Sequence, residues 1–308
     1  MLRSRLDALW GKRIILITGK GGVGRTVFVA AAAATAAARG RKVLVADMED
    51  PSSDRRSALA RLYGYSRLPR DPVKVQPGID AALVQTEYGT ELFLRSVFKA
   101  RSLVSLAMRS QSLQRMLYAA PSFREMGMFF HLLHLTELRN SDGSFCYDNI
   151  IADLPATGHT LAMTSLPDIL LRLIPSGPVA DALRRGQRHY NNPNVTTTWV
   201  VTLPEQLPVT ETIELIEGLH QSKVPVSGVI VNRMPANPFT PGERIALTKA
   251  LQDRTVRGLR NLRRIDQAAS ALDRLNQHLS LPTIVLNEFN ADGAELATLL
   301  ASELARVT

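Results

Sequence analysis

Residues 14–26 read Ile-Ile-Leu-Ile-Thr-Gly-Lys-Gly-Gly-Val-Gly-Arg-Thr, an apolar run that ends in a glycine-rich loop. An alanine-rich stretch, residues 27–38, follows directly. The order predicts a buried strand, a tight loop and a helix packed on a sheet. Glycines let successive backbone N–H groups turn inward around a polyphosphate. The helix behind the loop points the positive end of its dipole at the same place. Gly19, Gly21, Gly22, Val23, Gly24, Arg25, Thr26 and Val27 are therefore the candidate phosphate-binding residues. Two details depart from the common pattern. Lys20 follows Gly19 directly, and Arg25 stands before Thr26, where a lysine is the rule.

Residues 14–17 are continuously apolar, as a strand covered on both faces requires, and further strands are expected at 42–46, 148–153, 197–202, 226–231 and 281–286, with 148–153 ending in the carboxylate of Asp153. Helical patterns occupy 26–39, 90–139, 209–220, 240–279 and 294–306, with a short amphipathic lead-in over 3–10. The first strand, helix and strand fit within about 35 residues, a βαβ unit that implies parallel pairing. The expected fold is thus α/β: a doubly wound, mostly parallel sheet flanked by helices, one domain over residues 1–308. Residues 54–90 carry Pro69, Pro72, Pro77 and Gly78 and are expected to be irregular. The stretch 90–139, broken near Pro121 and Gly127, is too long for one crossover and is read as a helical insertion at the sheet's edge.

Composition limits the alternatives. Lys plus Arg is 37 and Asp plus Glu is 28, a net charge of +9. The excess is mostly arginine spread along helices, with no aromatic-interleaved basic motif and no zinc-finger spacing, which argues against nucleic acid as the ligand. A single cysteine, Cys146, excludes an intrachain disulfide framework and fits a cytoplasmic setting. The first ten residues are too polar for a signal peptide, and no run of about 18 apolar residues is present to span a bilayer.

Three further segments lie where a doubly wound sheet binds ligands, beyond the carboxyl ends of strands. Asp47, Glu49 and Asp50 follow the second strand and compete for the role of orienting a water or binding Mg²⁺ through water; any one of them also reads as a solvated loop acid. Asp153 ends a strand and opens Asp-Leu-Pro-Ala-Thr-Gly-His-Thr-Leu, expected to be a movable loop with Asp153 on the metal side. Asn232 precedes a proline-closed turn and offers both a donor and an acceptor, which suits a base edge. Phe93, Phe98, Met108, Met116, Met126, Met128, Phe129 and Phe130 gather in the helical insertion, either as core or as an adaptable groove. Arg254, Arg257, Arg260, Arg263 and Arg264 form the solvated face of an amphipathic helix, with docking to an acidic partner or an anionic membrane surface as the alternative.

Gly19 to Thr26 resembles the deviant phosphate loop of the MinD/ParA/ArsA group of ATPases, and Asp153 to Leu161 is similar to the switch II signature of one branch. That branch holds the arsenite-pump ATPases and the ATPases that deliver tail-anchored membrane proteins. Pro204 to Thr212 resembles the segment before the family's adenine-contacting asparagine, and Asn232 falls at its place. The resemblance implies ATP and Mg²⁺ as cofactors. It makes Lys20 a lysine that reaches the phosphates of a second subunit, and Thr26 and Asp153 the Mg²⁺ side of the site. An ungapped match puts Glu49 at the water-orienting position, and Asp50 with Pro51 takes it after a one-residue insertion; Asp50 is preferred. It further implies a homodimer, or a heterodimer with a related ATPase, acting on a protein partner or hydrophobic client. The chain departs from the family at Arg25, and it has no Cys-x-x-Cys pair for a zinc clasp and too few cysteines to hold As(III). Arg25 motivates a rival reading, a non-hydrolysing ATP-binding subunit; a second rival is a ParA/MinD-like positioning protein that works on DNA or makes peripheral membrane contact, against which the switch II signature argues.

Overall fold

A computed structural model describes residues 9–48, 57–97, 123–155, 157–173, 175–251 and 258–306. Its centre is an eight-stranded sheet. The strands are β1 (Ile14–Gly19), β2 (Val43–Met48), β3 (Val73–Gln76), β4 (Ile79–Val84), β5 (Asn149–Asp153), β6 (Thr196–Thr202), β7 (Val226–Met234) and β8 (Thr283–Asn287). They lie in the order β3-β4-β2-β5-β1-β6-β7-β8. All pairings are parallel except β3 with β4.

The apolar runs become central strands because both faces need cover. Ile14 and Leu16 of β1, with Leu44 and Ala46 of β2, face one side. Ile15 and Ile17, with Val43 and Val45, face the other. Alternation along a strand thus feeds two cores at once. On the first face lie α4 (Phe123–Thr136), α5 (Thr157–Leu173), α6 (Pro178–Tyr190), α7 (Gln206–Gln221) and α9 (Gly258–His278). The second is covered by α1 (Arg25–Ala38), α2 (Ala58–Leu62) and α10 (Gly293–Arg306), together with Leu9 and Trp10. The alanines of α1 allow close approach: Ala31, Ala32, Ala33 and Ala36 are fully buried between the sheet and α10. Two more helices, α3 (Thr86–Val97) and α8 (Pro241–Leu251), complete the described set.

Three expectations are corrected. Of residues 54–90, the described part, 57–90, is not irregular: it holds α2, the β3–β4 hairpin and the start of α3. Pro77 and Gly78, read as breakers, form the two-residue connection of that hairpin, and β4 then becomes a fully paired parallel neighbour of β2. The described helices of 90–139, α3 and α4, do not hang from the sheet's edge. Met126, Met128, Phe129 and Phe130 of α4, with Phe93 of α3, are buried in the same core as Leu16 and Leu44. Packing onto the sheet thus wins over an open groove for these five; Phe98, Met108 and Met116 lie outside the described residues. Third, the segment after Asp153 is not an extended loop. Helix α5 begins at Thr157, only four residues beyond the strand's last residue. Residues 240–279 divide into α8 and α9, and Arg254 and Arg257 fall outside the described residues.

Candidate functional site

Parallel pairing carries the carboxyl ends of β2, β5, β1, β6 and β7 to one edge of the sheet, where the described members of the sequence-predicted set lie. The loop between β1 and α1 needs its glycines for two reasons. Gly19 has φ +148°, and a Cβ on it would sit 2.2 Å from the Val201 carbonyl oxygen on β6. Gly24, the residue before α1, has φ +88°, and a Cβ there would sit 2.4 Å from Asn232 Nδ2. Both are left-handed backbone conformations that L side chains rarely adopt, and both are close approaches.

Asn232 lies under this loop. Its side chain is 3% exposed. Its Nδ2 donates to the Val23 carbonyl at 2.9 Å, and its Oδ1 accepts from the backbone N–H of Arg233 at 3.0 Å. The amide expected to read a base therefore also ties β7 to the loop, with one N–H and one lone pair left over. Arg233 itself takes a left-handed conformation, φ +58°, which is rare for a non-glycine residue. Near the end of β7, Arg233 lines an open pocket of about 480 Å³ at the β6–α7 junction. Pro204, Leu207, Pro235, Arg264 and Glu288 also line that pocket. Arg264 grips Glu288 with two parallel bonds of 2.7 Å, the fork geometry that raises the arginine pKa and lowers the carboxylate's.

Asp153 ends β5 and is 6% exposed. Its Oδ1 accepts from Arg25 Nε at 2.6 Å and its Oδ2 from Thr26 Oγ1 at 2.7 Å. Arg25 Nη1 also donates to the Gly19 carbonyl at 3.0 Å. Arg25 therefore closes a ring from the start of the loop, through its own side chain, to the neighbouring strand. Asp47 lies directly beside Asp153 in the β2–β5 register and is 5% exposed. Two adjacent buried carboxylates repel unless each is answered. Arg25 answers Asp153, and the Ser57 hydroxyl donates to Asp47. Ser57 in turn accepts from the backbone N–H of Ala60 and caps α2, so Asp47 has an anchoring task on this face. Glu49 and Asp50, the other two candidates for orienting water, lie outside the described residues, as does the side chain of His159.

Lys20 stands apart from the ring. Its Nζ is 2.6 Å from Oε1 of Glu211 on α7, and both side chains are partly exposed. Glu211 was not singled out from sequence, although it belongs to the 204–212 segment that carried the resemblance; a lone glutamate on an amphipathic helix gives no stronger signal. Thr160 of α5 is the other partner that sequence reasoning missed. Its hydroxyl lies 3.0 Å from that of Thr18 and donates to the Pro155 carbonyl at 2.7 Å, fastening the start of α5 to β1.

Thr26 Oγ1 and the Asp153 carboxylate are oxygen donors of the kind a hard divalent cation takes. Among the described residues no group of three or more His, Cys, Asp or Glu could hold a metal ion. Any Mg²⁺ here would therefore take most of its ligands from phosphate and water. No helix among the described residues is long and apolar enough to cross a membrane.

The model of the anion-transporting ATPase family matches residues 12–175 and 178–267. ATPase BagA of Mycobacterium tuberculosis is 32% identical over 236 residues, covering 74% of this chain and 67% of its own. An ATPase ASNA1 homologue of Entamoeba histolytica is 26% identical, covering 72% of this chain and 77% of its own. ATPase GET3 of Meyerozyma guilliermondii is 24% identical, covering 71% and 72%.

Proposed function

Since this chain belongs to the anion-transporting ATPase family, we propose that it binds ATP at the carboxyl edge of its sheet and hydrolyses it across a dimer interface. The observation that carries the reading is the convergence of the Gly19–Thr26 loop, Asp153 and Asn232 at one point, each fixed by a close contact. The loop N–H groups and the amino end of α1 would hold the phosphates. The nucleoside would extend past Asn232 toward the pocket at Arg233 and Pro204, whose volume of about 480 Å³ suits a ligand of that size. Thr26 and Asp153 would hold Mg²⁺, which when bound neutralises the β- and γ-phosphates.

Lys20 would leave Glu211 and reach the phosphates of a second subunit, acting as a positive charge supplied in trans. Asp50 or Glu49 would orient the attacking water. Asp47, already bonded to Ser57, is the weaker candidate for that role. Hydrolysis would reset the junction from Asp153 to α5, and with it the affinity for a protein partner or hydrophobic client. The partner is a second copy or a related ATPase.

One observation favours a second reading, a nucleotide-binding subunit that does not hydrolyse. Arg25, at the position of the usual lysine, is committed to Asp153 and the Gly19 carbonyl. Steady-state phosphate release from Mg·ATP by the native protein, beside Arg25→Lys and Lys20→Ala, separates the two. Turnover by the native protein that Lys20→Ala abolishes is the expected result. A native protein that binds ATP without turnover, and that Arg25→Lys activates, supports the second reading instead.

A further inference from the structure

We propose that Arg25 is the built-in cation of this site, so that a nucleoside triphosphate binds the loop without requiring a divalent ion. The inference rests on the nucleotide-binding reading above and specifies its cofactor requirement.

A hydrated Mg²⁺ at such a site does two things: it lowers the charge of the phosphates and it bridges them to the strand-end carboxylate. Arg25 already stands on that carboxylate, 2.6 Å from Asp153 Oδ1. A guanidinium carries five N–H donors in a planar fork. Arg25 uses Nε–H on Asp153 and one Nη1–H on the Gly19 carbonyl, which leaves three donors of the fork for phosphate oxygens. A lysine ammonium has three donors in all, so the same two contacts would leave it one. Arginine therefore bridges carboxylate and phosphate with three donors to spare for phosphate oxygens, where lysine would keep one and lean on the ion for the rest.

The pair is also well shielded. The Arg25 side chain is 16% exposed and that of Asp153 5%, so water screens their attraction little. A divalent ion bound at Oδ1 of Asp153 competes with the Arg25 Nε–H for that oxygen, and it then shares a small volume with a like charge. Divalent binding and the Arg25–Asp153 pair oppose each other. Lys20 does not add a further charge within the subunit, because Glu211 holds it.

The test is the affinity of the fluorescent analogue mant-ATP, followed by anisotropy in excess Mg²⁺ and in excess EDTA. For the native protein the two dissociation constants are expected to agree within about threefold. Arg25→Lys is expected to weaken at least about tenfold in EDTA. Native binding that falls tenfold or more on the same scale overturns the inference and leaves nucleotide binding intact, as does an Arg25→Lys protein that is equally indifferent to EDTA. A native protein that binds mant-ATP in neither condition overturns the nucleotide-binding reading and this inference with it. The native comparison needs no variant, and thermal melts of the variant confirm that it is folded.

Discussion

Lys20 Nζ lies 2.6 Å from Glu211 Oε1, so the first residue after the β1 strand is tied to helix α7 within the same subunit. The second carboxylate oxygen of Glu211 is buried and makes no hydrogen bond among the described residues. The lysine proposed to act in trans is thus held in cis by a single contact. A partly exposed ion pair of this kind is worth about 0.2–1 kcal/mol. That is little enough for a phosphate of a second subunit to compete for it.

Lys20→Ala therefore separates function from folding. Turnover is expected to fall about 100-fold or more, as when one charge-stabilising donor is removed. The melting temperature is expected to move by no more than about 2 °C. Phosphate release and calorimetry check both; unchanged turnover removes the trans-lysine role.

The Arg25–Asp153 pair behaves differently because it is shielded. Asp153→Ala leaves the guanidinium without its carboxylate and is expected to cost about 3 kcal/mol without nucleotide. Arg25→Ala leaves Asp153 and Asp47 side by side with one countercharge fewer. The double variant is expected to be less destabilised than the sum of the two, by about 1–3 kcal/mol. Denaturant unfolding of all four proteins measures the coupling, and strict additivity contradicts the pair's importance.

Gly24→Ala meets two penalties, a φ of +88° and a Cβ 2.4 Å from Asn232 Nδ2. Together they are expected to cost about 1–3 kcal/mol and to weaken mant-ATP binding. Adding Asn232→Ala removes the clash and leaves the dihedral strain, so the double variant is expected to recover part of the stability. No recovery would place the whole cost in the backbone.

His131 gives a pH dependence remote from the site. It is fully buried on α4, its Nδ1 accepts from the Gln85 N–H at 2.8 Å, and Tyr88 packs edge-on at 4.9 Å. Burial, which disfavours the charged ring, pushes its pKa down to about 4. The facing charged groups pull both ways: His134 and Arg70 lower it, and Asp71 raises it. The folded pKa lies below the unfolded one, so the unfolded chain takes up the proton first. Stability is expected to be independent of this group above pH 6.5 and to fall from there to about pH 4, by about 3 kcal/mol in all. His131→Phe should flatten that part of the stability–pH curve, whatever it does to the absolute value.

Much of this protein could be read from local pattern. Unbroken apolar runs such as 14–17 and 43–46 give buried parallel strands, because a strand covered on both faces has no polar side to show. The loop 19–26 declares itself because only glycines permit its backbone. The hairpin at Pro77 and Gly78 was hidden, since the same residues mark both a tight turn and a break, and which one results depends on β4 finding β2. The start of α5 at Thr157 was hidden in the same way, because helix propensity is weak beside the contact of Thr160 with Thr18. Sequence alone named Arg25 as the odd residue and Asp153 as a strand-end acid. Only tertiary structure decided that they meet at 2.6 Å, that Asn232 braces the loop from below, and that Lys20 rests on Glu211. These partners are 128, 209 and 191 residues apart along the chain. Periodicity and propensity act over a few residues, whereas the pairing order of a sheet sets which distant side chains share one edge.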